Sequence, residues 1–233
     1  MQLFYQPQIP EGVFHLDEEE SKHAVRVLRL QNDDLLRITD GKGKIYETVI
    51  TRADARKCEF RIMNTLDVPP DPYHIHLAIA PTKNADRLEW MLEKTVELGV
   101  HEITFILCDH SERRHLNTDR LEKKVVSAMK QSLKAYLPVL REEKKLPALI
   151  QESSGNIFKY IAYVDKENPD HLLHIAPKVQ SYLILIGPEG DFSEKEIETA
   201  LQHAFRPISL GKSRLRTETA GIAACHILNL INE

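Results

Sequence analysis

Hydrophobic and polar residues follow different patterns on the two sides of a proline-rich segment at residues 67–72. This segment reads Asp-Val-Pro-Pro-Asp-Pro. Three prolines in four residues can neither continue a helix nor donate to the ladder of a central strand. We therefore interpret it as a linker between a domain at residues 1–68 and a second domain at residues 73–233.

Short segments of alternating polarity dominate the chain before the linker. Residues 35–39 and 44–51 flank a glycine-rich turn, and residues 57–65 alternate as a half-buried strand does. One helix is predicted after Asp17, which can cap it and is followed three residues later by Glu20. The pattern predicts a small β-barrel-like domain that carries one helix.

Apolar, strand-like runs alternate with amphipathic helical patterns after the linker. Strands are predicted at 75–80, 103–107, 160–164, 182–186 and 207–210. Helices are predicted at 84–98, with Gly99 as its C-terminal cap, and at 118–136, 193–204 and 219–231. The segment 145–158 is predicted to be a loop. This alternation indicates an α/β domain whose parallel sheet is covered by helices on both faces.

The composition is that of an ordinary globular protein. The 233 residues carry a net charge of −4, so the chain as a whole is not a basic nucleic-acid coat. No apolar run approaches the ~20 residues of a membrane span, and the N-terminus lacks a basic-then-apolar signal pattern. We expect a cytoplasmic protein without a membrane partner.

Cysteine and histidine do not point to a metal site. Cys58, Cys108 and Cys225 are far apart and form no CxxC pair, so buried thiols are expected. His74 and His76 alternate on a predicted strand and share one face, but no carboxylate stands nearby at ligand spacing. We therefore expect no metal.

Two glycine-containing loops follow predicted strands and precede predicted helices. The first runs from Ile186 to Ser193 and the second from Leu210 to Ala220. Ligands of open α/β sheets bind beyond the carboxyl ends of the strands, so both loops can line one pocket. Gly187 and Gly190 would let the backbone approach a ligand closely or adopt a positive φ. Neither loop contains the GxGxxG or GxxxxGK[ST] phosphate motif.

The chain from Glu112 to Lys145 is locally basic. It contains ten Lys and Arg residues against five Asp and Glu residues, a net +5 within an acidic chain. Such a stretch is either a solvated surface or a contact for a polyanion.

Several motifs in series resemble one known family. They are His23–Arg29, Lys83 with Arg87–Val100, Ser111–Arg113, Gln131–Ser132, Ile186–Gly190, and Leu210–Gly211 with Leu215–Ala220. In this order, over nearly the whole chain, they resemble the bacterial 16S ribosomal RNA uracil-N3 methyltransferases, the RsmE family.

The resemblance implies a fold and an activity. It implies a SPOUT methyltransferase domain, an α/β parallel-sheet fold with a trefoil knot near the C-terminus, and a small N-terminal PUA-like domain that binds RNA. The implied cofactor is S-adenosylmethionine. The implied substrate is one uridine near the 3′ end of 16S rRNA in the small ribosomal subunit, and the implied assembly is a homodimer.

The resemblance also implies site residues. Cofactor binding is implied for Ile186, Gly187, Pro188, Glu189, Gly190, Leu210, Gly211, Leu215, Arg216, Thr217, Thr219 and Ala220. RNA binding is implied for Arg26, Arg29, Lys83, Arg113, Arg114 and Lys134. The chain departs from the family pattern at Asp191, where a second glycine is usual, at Arg214, where an aliphatic residue is usual, and at Lys134, where Arg is common. Asp tolerates a left-handed backbone better than most residues, so the first loop can keep its shape.

The implied reaction needs uracil N3 to lose its proton. The resulting charge on N3 and the flanking carbonyl oxygens can be stabilised by a guanidinium, for which Arg216 and Arg113 are the candidates. Glu189 or Glu218 can accept the proton, although Glu218 also suits the start of a helix. Two alternatives stay open: an RNA-binding or assembly factor without methyl transfer, and a SPOUT methyltransferase acting on another RNA or on ribose 2′-oxygens.

Overall fold

The computed structural model describes residues 2–112, 116–153, 155–163 and 170–233. The chain forms two compact units. The first comprises Met1–Pro70 and Val126–Leu137, and the second comprises Asp71–Val125 and Pro138–Glu233. The segment 126–137 therefore packs with the N-terminal residues although it lies far beyond the proline-rich linker in sequence.

The first unit is built on a four-stranded sheet. Its strands lie side by side in chain order, with β1 parallel to β2 and the other pairs antiparallel. The strands are β1 (Leu3–Tyr5), β2 (Leu35–Thr39), β3 (Lys44–Arg52) and β4 (Glu59–Asp67). Helix α1 (Glu18–Lys22) continues into a π-helical turn through Val27, and the predicted cap is confirmed because the Asp17 side chain accepts from the Glu20 backbone N–H.

The second unit is built on a six-stranded sheet in which all neighbours are parallel, as the alternation of elements predicts. The spatial order is β10-β8-β9-β5-β6-β7. The strands are β5 (His74–Ile79), β6 (Glu102–Leu107), β7 (Val139–Lys145), β8 (Phe158–Ala162), β9 (Ser181–Ile186) and β10 (Arg206–Ile208). Its helices are α2 (Ala85–Leu98), α4 (Leu146–Glu152), α5 (Leu172–Ile175), α6 (Glu194–Gln202) and α7 (Thr217–Asn232). Helix α3 (Thr118–Gln131) begins in the second unit and ends in the first.

Two helix predictions need correction. Helix α3 ends at Gln131 rather than at residue 136, because Leu133 takes a left-handed φ of 57° and the Lys134 N–H closes the helix end on the Met129 carbonyl. The loop predicted at 145–158 is wrong, since α4 occupies its first half. Pro147 stands in the first turn of α4, where a missing N–H costs no hydrogen bond, and Leu146, Leu149 and Ile150 are buried.

Other features agree with the sequence. Gly99 ends α2 with φ 104°, and Ser193 and Glu196 form the predicted capping box of α6. Strands β1 and β7 and helix α5 were not predicted. Val164, the predicted end of β8, lies outside the described residues. Within the part of the chain that is described, no helix combines the length and apolar character needed to cross a membrane.

Candidate active site at the carboxyl edge of the parallel sheet

The order of strands in the second unit places a site at the carboxyl ends of β5 and β9. From β5 the chain adds β6 and β7 on one side, whereas β9, β8 and β10 lie on the other. The direction of winding therefore reverses beside β5, and ligands of open α/β sheets bind at such a reversal. Both glycine-containing loops leave the sheet at this edge.

The first loop, residues 187–193, follows β9 and is partly buried. Gly187 and Pro188 are buried and Glu189 and Gly190 are exposed. The loop turns by a hydrogen bond from the Asp191 N–H to the Pro188 carbonyl, 2.9 Å. Asp191 has φ 62°, so the expectation that Asp can take the left-handed place of a second glycine is confirmed.

The two glycines of the first loop, Gly187 and Gly190, allow neighbouring side chains to pack closely against the backbone. A Cβ on Gly187 would lie 3.0 Å from the Phe192 ring, and one on Gly190 would lie 3.1 Å from Cβ of His110. Of the two roles considered for these glycines, a positive φ is wrong, since neither Gly187 nor Gly190 has a positive φ. Phe192 is 5% exposed, so Gly187 is needed to admit an aromatic ring into the core.

Neighbouring elements hold the first loop in place. The Lys83 N–H donates to Glu189 Oε1 at 3.2 Å, and Thr217 Oγ1 donates to the Gly187 carbonyl at 3.0 Å. Nδ1 of His110 lies 3.1 Å from the Gly190 carbonyl oxygen and 3.0 Å from that of Asp191. Both oxygens only accept, so Nδ1 of His110 carries the proton. The loop is thus fixed by the segments that follow β5 and β6 and by the start of α7.

The second loop, residues 209–216, is more open. Residues 211–214 and Arg216 are exposed, and Leu210 and Leu215 are half-buried. Ser209 Oγ accepts from the Gly211 N–H at 3.1 Å, and Gly211 has φ 125° with nothing within 4 Å of the place that a Cβ would occupy. This glycine is required by its backbone conformation.

Helix α7 joins the second loop to the sheet. Its first residues, Thr217 and Glu218, are buried, whereas Thr219 is exposed and Ala220 half-buried. A Cβ on Gly221 would lie 2.7 Å from Ile79 Cδ1, so the helix lies directly against β5. The hydrogen bond from Thr217 Oγ1 to the Gly187 carbonyl oxygen therefore holds the start of α7, directly after the second loop, against the first loop.

The candidate catalytic side chains have different surroundings. Arg216 is exposed at the N-cap of α7 and its side chain makes no capping bond. Glu189 is engaged by the Lys83 N–H. Glu218 is 5% exposed, and its Oε1 lies 3.8 Å from Nε of Arg87 on α2, an ion pair that sequence reasoning missed. Arg113 and Arg114 lie outside the described residues.

The candidate RNA-binding residues fall in both units. Arg26 and Arg29 are exposed in the first unit, and Lys134, in the same unit, is half-buried. Lys83 is exposed in the second unit, where its Nζ lies 2.7 Å from Glu112 Oε2.

The basic stretch at 112–145 is less positive in the fold than in the sequence. Among the described residues of the stretch, five cations pair with carboxylates outside it: Arg120 with Glu89 at 2.6 Å, Lys124 with Glu93 at 3.7 Å, Lys130 with Glu20, Arg141 with Glu102 at 2.8 Å, and Lys144 with Glu152. These carboxylates come from other helices and strands, which a count along the sequence cannot include.

Cysteine and histidine environments were partly anticipated. All three thiols are buried, as expected, and burial raises the pKa of Cys58 to about 11. The expectation that no carboxylate lies near the two histidines is wrong. Glu102, on the adjacent strand, lies 3.7 Å from Nε2 of His74 and 3.6 Å from Nε2 of His76. Burial lowers the pKa of His76 to about 4. Among the described residues, no group of three or more potential ligands is placed to hold a metal.

Comparison with known proteins identifies the second unit. A family described as the RNA methyltransferase domain matches residues 69–229. The chain belongs to the RNA methyltransferase family. A second family, the RNA methyltransferase PUA domain, matches residues 16–63, so this methyltransferase also carries the predicted PUA-like domain.

Similar proteins cover nearly the whole methyltransferase. A crystal structure of a probable rRNA methyltransferase from Porphyromonas gingivalis is 45% identical, with a TM-score of 0.94 over 100% of this chain and 98% of that one. A ribosomal RNA small subunit methyltransferase E from Neisseria gonorrhoeae, bound to S-adenosyl methionine, is 26% identical with a TM-score of 0.89, over 100% and 98%. Ribosomal RNA small subunit methyltransferase E of Aquifex aeolicus is 28% identical over 98% of this chain and 99% of its own length. The predicted family and fold class are confirmed.

Proposed function

We propose that this enzyme transfers the methyl group of S-adenosylmethionine to N3 of one uridine in the 16S rRNA of the small ribosomal subunit. The observation that carries the proposal is the carboxyl edge of the second unit, where the Thr217–Gly187 hydrogen bond holds the start of α7, directly after the second loop, against the first loop at the winding reversal. Relatives named for the small-subunit rRNA reaction match nearly full length, which supports the same substrate.

The residues at this edge fit the cofactor. The half-buried leucines Leu210 and Leu215 offer apolar contacts, and the exposed glycines Gly190 and Gly211 leave room beside the backbone because they carry no side chain. The cofactor would be held by residues of the two loops and the start of α7: Ile186, Gly187, Pro188, Glu189, Gly190, Leu210, Gly211, Leu215, Arg216, Thr217, Thr219 and Ala220. When bound, S-adenosylmethionine supplies a methyl group already activated by its sulfonium.

The protein's own task is to orient the uracil and to stabilise its N3 anion. Arg216 is placed for this because its guanidinium is exposed beside the second loop and is not used as a helix cap. Arg113 is the second candidate. Arg stays protonated, so neither is the base.

Glu189 acts through the position of the first loop. Its carboxylate accepts from the Lys83 N–H, which connects the loop to the segment after β5. Glu218 is buried beside Arg87 and fixes the start of α7 in the same way. We therefore assign both carboxylates to positioning.

The RNA is held through its backbone. Arg26, Arg29, Lys83, Arg113, Arg114 and Lys134 are the proposed phosphate contacts. Phosphate contacts position a nucleic acid without reading its sequence, and the target uridine must leave its stack to reach the pocket. We expect the enzyme to act in the cytoplasm, where ribosomal subunits are found.

A homodimer is proposed to form through the second unit. Trp90 on α2 is 48% exposed and Leu230 on α7 is 45% exposed, and large exposed apolar side chains on two helices suit a protein interface. Light scattering at micromolar concentration is expected to give about twice the 26.8 kDa of one chain. A mass of one chain would contradict the dimer.

Reconstitution tests the reaction. Purified enzyme and labelled S-adenosylmethionine are added to small ribosomal subunits from a strain that lacks the gene, and the rRNA is digested to nucleosides for mass analysis. We expect labelled 3-methyluridine from these subunits and no label in subunits of the parent strain, whose target uridine is already methylated. Label in another nucleoside, or in a ribose, would refute the proposed target.

A further inference from the structure

A histidine that follows β6 reaches across the carboxyl edge of the parallel sheet. Nδ1 of His110 lies 3.1 Å from the Gly190 carbonyl oxygen and 3.0 Å from that of Asp191, and both of these residues follow β9. Strand β5 lies between β6 and β9 in the sheet. The imidazole therefore connects the segments that follow two strands on either side of β5, at the winding reversal where ligands of such sheets bind.

The hydrogen bonds of His110 fix its tautomer. Both carbonyl oxygens only accept, so Nδ1 carries the proton, and in a neutral imidazole the other ring nitrogen then holds a lone pair. The side chain is exposed, and among the residues that the structure describes none forms a hydrogen bond with Nε2. Nε2 is thus an oriented proton acceptor that an incoming nucleobase can reach.

The turn that carries this histidine is held on both sides. The Ser111 N–H donates to the Cys108 carbonyl and the Cys108 N–H donates to Ser111 Oγ, both at 3.0 Å. The Asp109 N–H donates to Glu196 Oε1 at 2.9 Å, and Asp109 Oδ2 accepts from Ser193 Oγ at 2.7 Å. The turn is therefore fastened to the capping box of α6, which gives the imidazole the fixed support that a reacting group needs.

Several charged groups surround the histidine. Those on its own turn, on the segment after β5, on the first loop and at the start of α6 are Asp109, Glu112, Lys83, Glu189, Asp191, Glu194, Lys195 and Glu196. Lys83 pairs with Glu112 at 2.7 Å, and Glu196 is buried and accepts from two backbone N–H groups. A pH dependence can be assigned to one group in such surroundings only by substituting that group, so the test changes the histidine alone.

We propose that His110 is the general base that takes the N3 proton of the target uridine. The proposal rests on the proposed function for the identity of the acceptor atom, and it fills the role left open when Glu189 and Glu218 are assigned to positioning. The N3–H bond breaks and its proton passes to Nε2, which gives an imidazolium. The electron pair left on N3 forms the bond to the methyl carbon while the bond from that carbon to sulfur breaks. The exposed imidazolium then returns its proton to water.

Substitution can separate the two nitrogens of the imidazole. His110→Asn keeps an N–H donor on the atom bonded to Cγ, where Nδ1 stands, and removes Nε2. His110→Ala removes both nitrogens. His203→Asn is the matched control, because Nδ1 of His203 lies 2.9 Å from the Thr199 carbonyl oxygen at the C-terminal end of α6, away from the carboxyl edge of the sheet.

Single-turnover methylation of unmodified small ribosomal subunits, at saturating S-adenosylmethionine, measures the chemical step. We expect His110→Asn to lower this rate about 10²–10⁴-fold, the contribution of a positioned general base, with the melting temperature and the calorimetric affinity for S-adenosylmethionine close to those of the wild type. His110→Ala should be as slow and should also bind S-adenosylmethionine more weakly, because the first loop loses an anchor. His203→Asn should match the wild type. A wild-type rate in His110→Asn would overturn the proposal.

The pH dependence of the rate provides a second test. The wild-type rate should rise with pH with a slope of about one on logarithmic axes and level off within pH 5–8, the range in which histidine loses its charge. The rate of His110→Asn should continue to rise above this range, because the N3 proton must then pass to hydroxide. A plateau at the same pH in both proteins would overturn the proposal.

Nitrogen NMR of the free enzyme tests the tautomer without any turnover. With histidine-selective ¹⁵N labelling, the imidazole signals that are missing from His110→Asn belong to His110. At mildly alkaline pH they should show a proton on Nδ1 and none on Nε2. A proton on Nε2 would overturn the assignment of this nitrogen as the acceptor.

Failure of the proposed function would look different. If nucleoside analysis finds the transferred methyl group on an atom other than uracil N3, the proposed function fails. His110 then stands as the base if His110→Asn transfers slowly to that atom, and it falls if the transfer keeps the wild-type rate. No methyl transfer by the wild type to any small ribosomal subunit would overturn both proposals.

Discussion

The two loops at the carboxyl edge of the parallel sheet are built in opposite ways. Residues 187–193 are fastened by Lys83, His110 and Thr217, and Phe192 packs under Gly187. Residues 209–216 are mostly exposed, and Gly211 has open space around it. The first loop is anchored in the core of the second unit by the buried Gly187 and Phe192, whereas the second loop lies on the surface.

This difference predicts two classes of substitution. Changes in the first loop should lower stability and cofactor affinity together, because the same contacts maintain both. Changes in the second loop should lower activity and leave stability nearly unchanged. The predictions below test this division in order of decreasing effect on the free energy of unfolding.

Gly187→Val should cause the largest decrease in the free energy of unfolding. Its side chain would overlap the Phe192 ring, and overpacking of a buried site costs roughly 1–3 kcal/mol. Calorimetric titration should then detect no S-adenosylmethionine binding, since the ring and the loop must shift. Denaturant unfolding measures the stability.

A double-mutant cycle provides the control for Gly187. Gly187→Ala should be less costly in a Phe192→Leu background, because the smaller side chain makes room for the new Cβ. The coupling between contacting residues is about 0.5–3 kcal/mol. Additive effects would show that Phe192 is not the reason for glycine at 187.

Thr217→Val should have the next largest effect. The substitution preserves shape and removes the bond to the Gly187 carbonyl, at a cost of about 1–2 kcal/mol because that oxygen is left buried and unpaired. Thr219→Val is the matched control, since Thr219 is exposed one half-turn later. Equal stability of the two variants would contradict the connection between the loops.

Two substitutions of Glu189 distinguish a positioning role of its carboxylate from a role in proton transfer. The amide oxygen of Glu189→Gln can still accept from the Lys83 N–H, so we expect stability and turnover close to the wild type. Glu189→Ala loses this acceptor and should raise the KM for S-adenosylmethionine, with a stability loss of about 0.5–1 kcal/mol. If Glu189→Gln instead abolishes turnover with KM unchanged, the carboxylate is the base.

Arg216→Ala should change stability least and activity strongly. The side chain is exposed and caps nothing, so the free energy of unfolding should stay within about 0.5 kcal/mol. Loss of a group that stabilises charge in the transition state costs about 10²–10³ in rate, which single-turnover methylation can measure. The exposed Lys212→Ala is a charge-matched control in the same loop. A large fall in stability would place Arg216 in the framework instead.

The elements that could be predicted from the sequence are those with a regular pattern of apolar and polar residues or with characteristic cap and turn residues. Both loops, the N-cap of α1, the capping box of α6 and most strands follow from local patterns, and the left-handed Asp191 follows from its residue type. Helix α4 was missed because residues 145–158 show no regular helical pattern, and Pro147 is compatible with the helix only because it stands in the first turn.

Contacts between distant segments were not predictable from one sequence. Phe192 is in the same loop as Gly187, but only the fold shows that its ring covers that glycine. The pairing of Arg87 with Glu218 and of Glu102 with His74 and His76 depends on strand order and helix packing. For the same reason, the basic stretch at 112–145 looked more positive than its carboxylate partners leave it.

Nucleoside analysis of small-subunit rRNA from a deletion strain tests the proposed function most directly. We predict that one 3-methyluridine disappears from the 16S rRNA and that wild-type protein restores it, whereas Arg216→Ala restores it only slowly. Retention of this nucleoside in the deletion strain, with loss of a different modification, would contradict the assignment of uracil N3 as the methyl acceptor.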